Sequence, residues 1–148
     1  SEMCIRDRAS AFFGGLAGNA GLFSTARDVA RVYQMLLNGG EIDGQRYLSK
    51  ETCQLFTTET SKISRRGLGF DKPDADDPKK GNCAPAAPAE VYGHTGFTGT
   101  CAWVDPVNEL VYVFLSNRIY PDVTNRKLNQ LHIRERIQGA IYDAMKKK

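Results

Sequence analysis

The chain has 148 residues, enough for at most one ordinary domain, and 41% of them are hydrophobic, 25% charged and 9% aromatic. This composition is typical of a globular protein and excludes a disordered or fibrous one. The net charge of +3 is too small to indicate a nucleic-acid partner. No apolar run reaches the about 18–20 residues of a membrane helix, so no transmembrane segment is expected. The first eight residues lack the apolar core of a signal peptide.

Four cysteines stand at positions 4, 53, 83 and 101, and no two of them form a Cys-x-x-Cys pair. A structural zinc site needs ligands in close pairs, and only His94 and His132 could join these cysteines. We therefore expect no metal site. The cysteines are interpreted as free thiols that pack as small hydrophobic residues.

The segment 12–23 is rich in glycine but apolar, which predicts a tight, buried turn where backbones approach closely. It matches neither glycine pattern of a phosphate-binding loop. A helix follows, which Ser24 or Thr25 caps and the pair Gly39-Gly40 ends. Its predicted apolar face consists of Val29, Val32, Tyr33, Leu36 and Leu37.

The middle of the chain alternates short elements with a long loop. Ser49 is predicted to cap a second, short helix, and residues 67–70 to form a short strand. The segment 71–90 holds four of the six prolines and is interpreted as a mobile surface loop. The sheet is predicted at 91–117, where the continuous apolar run 110–115 indicates a strand covered on both faces.

The last predicted element is an amphipathic helix near the C-terminus. The predicted order is helix, helix, antiparallel strands, helix, which indicates an α+β fold class with helices packed on an antiparallel sheet. No internal repeat is found. The predicted apolar face of the last helix consists of Ile133, Ile137, Ala140, Ile141 and Ala144.

The strongest chemical signal is the segment 92–100, Tyr-Gly-His-Thr-Gly-Phe-Thr-Gly-Thr. Three glycines frame His94 and Thr95 at the predicted end of a strand. Such a segment can bring a side-chain donor and a backbone N–H to one point, as an oxyanion hole requires. The alternative is that His94 only forms a structural hydrogen bond at a turn.

Several segments together resemble one family. Residues 93–99 resemble the third motif, Lys-Thr-Gly, of serine β-lactamases and penicillin-binding proteins in its His-Thr-Gly form. Residues 20–30 are similar to the segment Ala-Gly-Gly-Leu-x-Ser-Thr-Ala-x-Asp-Leu-Ala of the same family. The resemblance covers about residues 12–145. It is closest to β-lactamase-related domains found alone or joined to family 3 glycoside hydrolases in bacterial envelope proteins. Further segments in family order are 36–40, 48–52 and 67–70.

The resemblance implies a β-lactamase/transpeptidase-like fold and acyl transfer to a serine, followed by hydrolysis. The acyl donor would be an ester, an amide or a β-lactam, as in esterases, DD-peptidases and β-lactamases. His94, Thr95 and Gly96 would form the third motif and line the pocket. The backbone N–H of Phe97 would be one oxyanion donor. No metal or organic cofactor is implied.

A second set of site residues is expected after the last strand. The segment that begins at Asn117 resembles one in class C β-lactamases, where a later arginine helps to receive the substrate carboxylate. Asn117 and Arg126 are therefore candidate substrate-binding residues, because the guanidinium fork suits a carboxylate. Here one extra residue separates the two, and the alternative is that Arg126 is a surface charge at a helix start.

The nucleophile motifs of the family are missing from this chain. None of its serines has a lysine three positions later, and no Tyr-x-Asn or Ser-x-Asn is present. In the family both motifs precede the segment similar to 20–30. We therefore expect residues 12–148 to be the C-terminal portion of a β-lactamase-related domain, and residues 1–11 to be an atypical or artefactual segment.

The partners and the location follow from the resemblance. The expected partners are the missing N-terminal half of the domain and a small-molecule or peptidoglycan-derived substrate, in the periplasm or cell envelope. The competing hypothesis is a non-catalytic β-lactamase-like module that binds cell-wall material or a partner protein.

Overall fold

The computed structural model describes residues 14, 22–58, 64, 66–74, 76–77 and 81–146. The predictions for residues 1–11, and those for the glycine turn apart from Gly14, Leu22 and Phe23, lie outside the described residues.

Helices and antiparallel strands make up the described part of the chain, which confirms the α+β fold class. None of the helices in these ranges is long and apolar enough to cross a membrane. The elements are, in chain order, α1 (Ala26–Leu37), β1 (Glu41–Ile42), β2 (Gln45–Arg46), α2 (Lys50–Thr57), β3 (Tyr92–Thr95), β4 (Cys101–Asp105), β5 (Leu110–Phe114), α3 (Lys127–Gln130) and α4 (Ile133–Met145).

The first two helices begin where the sequence predicts. Thr25 caps α1, since its hydroxyl oxygen accepts a hydrogen bond of 3.2 Å from the N–H of Asp28. Ser49 caps α2 in the same way, through the N–H of Thr52 at 3.1 Å. Within the predicted apolar face of α1, Val32 is 55% exposed, whereas the other four residues are half-buried.

The main sheet has the order β3-β4-β5, and β1 and β2 form a separate hairpin. Helix α1 packs against β4 and β5, and the ring of Phe70 connects Tyr33 of α1 with Tyr92 of β3 through two edge contacts. Because side chains alternate along a strand, Trp103 and its partner Tyr112 point to the opposite face from Tyr92. The core on that opposite face consists of Cys83, Val91, Cys101, Trp103 and Tyr112.

Helix α4 turns a different face inward from the one that the sequence predicts. Its buried residues are Arg134, Gln138 and Tyr142, whereas Ile137 is 39% exposed and Ala140 is also exposed. Ala144 is exposed as well, so the prediction is wrong for Ile137, Ala140 and Ala144. The physical reason is hydrogen bonding, because the inward polar groups of α4 reach partners in the sheet and in the segment before it.

Three further predictions about the middle of the chain are corrected by the structure. Residues 67–70 form no strand, and only the next residue, Asp71, exchanges backbone hydrogen bonds of 2.7 and 3.0 Å with Gly93. The segment 71–90 is not simply a surface loop, since five of its described residues are buried. In β5 only Tyr112 is buried, so the strand is not fully covered on both faces. The buried residues of 71–90 are Asp71, Lys72, Gly81, Cys83 and Ala84.

Candidate active site

The segment predicted to carry the chemistry is a β-hairpin. His94 and Thr95 end β3 and pair with Ala102 and Cys101 of β4. The turn between the strands is closed by two backbone hydrogen bonds, from Gly96 N–H to Thr100 O at 2.8 Å and from Gly99 N–H to Gly96 O at 2.9 Å. The hairpin therefore presents its tip and the end of β3 as one rigid unit.

Two glycines are required by close approach in this hairpin. A Cβ atom on Gly93 would lie 2.1 Å from the carbonyl oxygen of Ala102, so β3 and β4 could not keep their spacing. Gly99 has a φ of +93°, and a Cβ there would lie 2.6 Å from Ser116 Oγ. Glycine at 93 therefore lets β3 lie close to β4, and glycine at 99 lets the turn lie close to Ser116.

The hydrogen bond of His94 assigns its tautomer. Its Nδ1 lies 2.7 Å from the carbonyl oxygen of Thr95, which can only accept. Nδ1 therefore donates in this bond, and the tautomer that makes it leaves Nε2 as an acceptor. Since His94 is exposed, Nε2 can accept a hydrogen bond from a hydroxyl group of another molecule or segment.

Phe97 supplies the candidate oxyanion donor. Its N–H has no hydrogen-bond partner among the residues that the structure describes. The residue is 57% exposed. A backbone N–H held in a closed turn and left without an acceptor can donate to an oxygen that gains negative charge in a transition state.

A cavity of about 630 Å³ lies between this hairpin and the start of α1. His94, Thr95 and Gly96 line it together with Ser24, as does Ser116, which follows β5. None of the described lining residues is acidic, lysine or arginine. The cavity therefore joins three of the four predicted third-motif residues with the hydroxyl groups of Ser24, Thr100 and Ser116, which sequence reasoning did not assign to the site.

Two further groups at the cavity are made inert by burial. Desolvation raises the pKa of the Cys101 thiol to about 11, so the thiol stays protonated at neutral pH. Desolvation, with a smaller effect of Cys101, also raises the pKa of Tyr33. Cys101 is thus no thiolate nucleophile, and the phenol of Tyr33 stays neutral.

Asn117 and Arg126 do not line this cavity among the described residues. Both are exposed, and Arg126 stands at the start of the short helix α3. Their predicted contact with a substrate carboxylate stays a prediction. Sequence reasoning missed Arg118, whose backbone N–H and side chain contact the turn that carries Phe97. No local pattern marks Arg118, because its contacts join segments that only the fold brings together.

Comparison with known proteins relates the chain to β-lactamases and to penicillin-binding proteins. The family model described as Beta-lactamase matches residues 3–135. A protein of Escherichia coli O157:H7 named "Putative D-alanyl-D-alanine carboxypeptidase" is 36% identical over 123 residues, which are 83% of this chain and 28% of that protein. A protein of Salmonella agona with the same name is 36% identical over 116 residues, 78% of this chain and 27% of that protein.

The chain thus spans little more than a quarter of the length of these curated relatives. A crystal structure of a novel penicillin-binding protein homolog from Caulobacter crescentus overlaps with 60% of this chain and 24% of its own, at 26% identity and a TM-score of 0.48. The family match over residues 3–135, which include the His-Thr-Gly hairpin, shows that the chain belongs to the Beta-lactamase family of serine hydrolases.

Proposed function

We propose that this chain forms the His-Thr-Gly side of an acyl-serine hydrolase site. The reaction is attack of a serine hydroxyl on an ester, amide or β-lactam carbonyl, followed by hydrolysis of the acyl-enzyme. The observation that carries the proposal is the pairing of two groups on one hairpin. The N–H of Phe97 has no partner among the described residues, and Nε2 of His94 is an acceptor beside the same turn.

The chemistry of each step assigns a task to these groups. The serine oxygen forms a bond to the carbonyl carbon, the hydroxyl proton passes to a base, and the carbonyl oxygen becomes an oxyanion. Phe97 N–H donates to that oxyanion. His94 Nε2 accepts a hydrogen bond from a hydroxyl of the nucleophile's proton network. The leaving group then takes the proton, and water later releases the acyl group.

In this proposal the nucleophile comes from residues outside this chain. No serine of the chain has the lysine partner that the mechanism needs, and the relatives are more than three times as long as the segment they share with it. The names of the relatives support a peptide ending in D-alanyl-D-alanine as the substrate. A location in the periplasm or cell envelope stays a prediction. Fusion to a family 3 glycoside hydrolase stays a prediction.

A second candidate is a non-catalytic module that binds cell-wall material or a partner protein. It is favoured by the absence of Ser-x-x-Lys and Tyr-x-Asn from the chain. In that case the hairpin and cavity would bind a ligand without turnover.

Covalent labelling tests the proposal. The 148-residue chain and the product of the complete reading frame around it are treated with a fluorescent penicillin and a fluorophosphonate. We expect stoichiometric labelling of the longer protein at a serine of Ser-x-x-Lys, and none of the shorter chain. Labelling of a serine in the 148-residue chain would contradict the assignment of the nucleophile. A longer protein that neither reagent labels would favour the binding module.

A further inference from the structure

The direction of Phe97 N–H depends on how the hairpin turn is held. The peptide bond that carries this N–H also carries the carbonyl of Gly96, which accepts from Gly99 N–H at 2.9 Å. In a trans peptide the N–H points away from the carbonyl. The turn therefore directs Phe97 N–H outward, and a shift of the Phe97 backbone within the turn redirects it.

Arg118 holds the other side of Phe97 through three contacts. Its backbone N–H donates to Thr98 O at 2.9 Å, and its Nε–H donates to Phe97 O at 2.8 Å. Its guanidinium carbon lies 4.7 Å from the centroid of the Phe97 ring. Two successive carbonyls and one ring are thus held by a single residue that follows β5.

Ser116 adds a fourth contact, because its hydroxyl donates to Thr98 O at 3.1 Å. This bond holds the backbone after Phe97 but leaves the Phe97 carbonyl and ring to Arg118. An arginine suits both tasks, since its guanidinium is planar and can stack on a ring while Nε–H donates in the same plane. The ammonium of a lysine can donate but cannot stack as a plane.

We propose that Arg118 is a positioning residue, which fixes Phe97 in the orientation where its N–H can donate to the oxyanion. The inference rests on the proposed function, since it assigns a purpose to the oxyanion donor named there. Arg118 acts through Phe97. Without it, the Phe97 carbonyl loses its donor and the ring loses its cover, so the N–H samples a wider range of directions.

The first test is NMR relaxation of the uniformly ¹⁵N-labelled 148-residue chain and three variants. Arg118→Met removes the donor and the plane, Arg118→Lys keeps a donor, and Arg136→Met is the control because Arg136 is an exposed arginine on α4. We expect order parameters of Phe97 and Thr98 near the rigid value of about 0.85 in the parent and below about 0.6 in Arg118→Met. Arg118→Lys should lie between them, and the control should equal the parent.

A second measurement needs no variant. In the parent chain, the Nε–H of Arg118 should exchange with water at least tenfold more slowly than that of Arg136, since only the former has a hydrogen-bond partner among the described residues. Unchanged order parameters in a folded Arg118→Met variant would overturn the proposal. Equal exchange rates of the two Nε–H groups would do the same.

The last test measures turnover in the product of the complete reading frame, with active sites counted by covalent titration. There Arg118→Met should lower kcat about 10-fold to 100-fold, by analogy with the cost of misplacing a reacting group by about 1 Å, and change KM less than threefold. An ordered turn with unchanged kcat would refute the positioning role. Absence of any acylation in the parent would instead refute the proposed function, and the NMR result would be unaffected by it.

Discussion

The hydroxyl of Tyr142 donates to Oδ2 of Asp105 at 2.7 Å, which joins the last helix to the turn after β4. Asp105 is 2% exposed and also accepts from the N–H groups of Val107 and Asn108 and from the side-chain amide of Asn108. The bond therefore belongs to a buried network with four donors around one carboxylate.

Replacement of Tyr142 by phenylalanine should remove one donor from this buried carboxylate. We expect the free energy of unfolding to fall by about 1–3 kcal/mol, because a buried acceptor loses a partner. Tm should fall by about 2–4 °C per kcal/mol. Tyr120→Phe is the matched control, since Tyr120 is 72% exposed. Equal melting curves for the two variants would contradict the importance of the network.

Ile137→Lys tests which face of α4 points inward. Because Ile137 is 39% exposed, we expect a change in the free energy of unfolding within about 0.5 kcal/mol. The variant should also stay monomeric to higher concentration, as an exposed apolar side chain is replaced by a charge. Urea titration and sedimentation measure the two quantities. A loss of several kcal/mol would mean that Ile137 is buried after all.

Two glycine substitutions should have opposite effects on stability. Gly93→Ala places a Cβ atom 2.1 Å from Ala102 O and should destabilise the sheet by about 1–3 kcal/mol or more. Gly139→Ala lies inside α4, where the nearest atom to the new Cβ is Ala84 Cβ at 4.0 Å. It should stabilise the chain by about 0.5–1 kcal/mol, the helix propensity difference. Thermal unfolding of both variants checks these two expectations. An unchanged Tm for Gly93→Ala would contradict the close approach of β3 and β4.

Stability should fall in alkaline solution. Burial raises the pKa of Cys101 to about 11 from its ordinary 9.0, and desolvation also raises the pKa of Tyr33. Above pH 9 the unfolded chain loses the thiol proton that the folded chain retains, so the unfolded state is favoured as pH rises. Because of Cys101, the free energy of unfolding should be lower at pH 11 than below pH 9 by about 2–3 kcal/mol.

Urea titrations from pH 7 to pH 11 check this expectation. Between pH 9 and 11 the free energy of unfolding should decrease less in Cys101→Ala than in the parent, because the contribution of the thiol is lost. The contribution of the tyrosines should remain. An identical pH profile in parent and variant would show that the thiol does not contribute.

His94→Ala should distinguish a catalytic from a structural histidine in the product of the complete reading frame. If Nε2 accepts a hydrogen bond in the transition state, kcat should fall by about 10²–10³, as when an oxyanion donor is lost, with a smaller change in KM. Steady-state kinetics per titrated active site measure this. A kcat within threefold of the parent, with lowered Tm, would leave His94 as a turn residue only.

Local patterns in the sequence predicted the features that local chemistry determines. The caps at Thr25 and Ser49 follow from hydroxyl groups placed directly before the helices, and the strand end at His94 follows from its glycines. The pairing of that strand with β4 in a hairpin was seen only in the structure. The inward face of α4 did not follow. Periodicity counts apolar residues, whereas Gln138 is held inward by the N–H of Ala84 at 2.8 Å, a partner far away in the sequence. The role of Arg118 was hidden for the same reason.

The cavity beside His94 has one further consequence, for how the molecule folds. One wall comes from Ser24 at the start of α1 and the other from a hairpin far along the chain. Such walls meet only after a long loop has closed, and loop closure costs entropy before any contact compensates for it. The β3-β4 hairpin can form early from local contacts, but the cavity can exist only once the distant segments have docked. A ligand of the cavity should therefore report on the completely folded chain and be blind to partly folded intermediates.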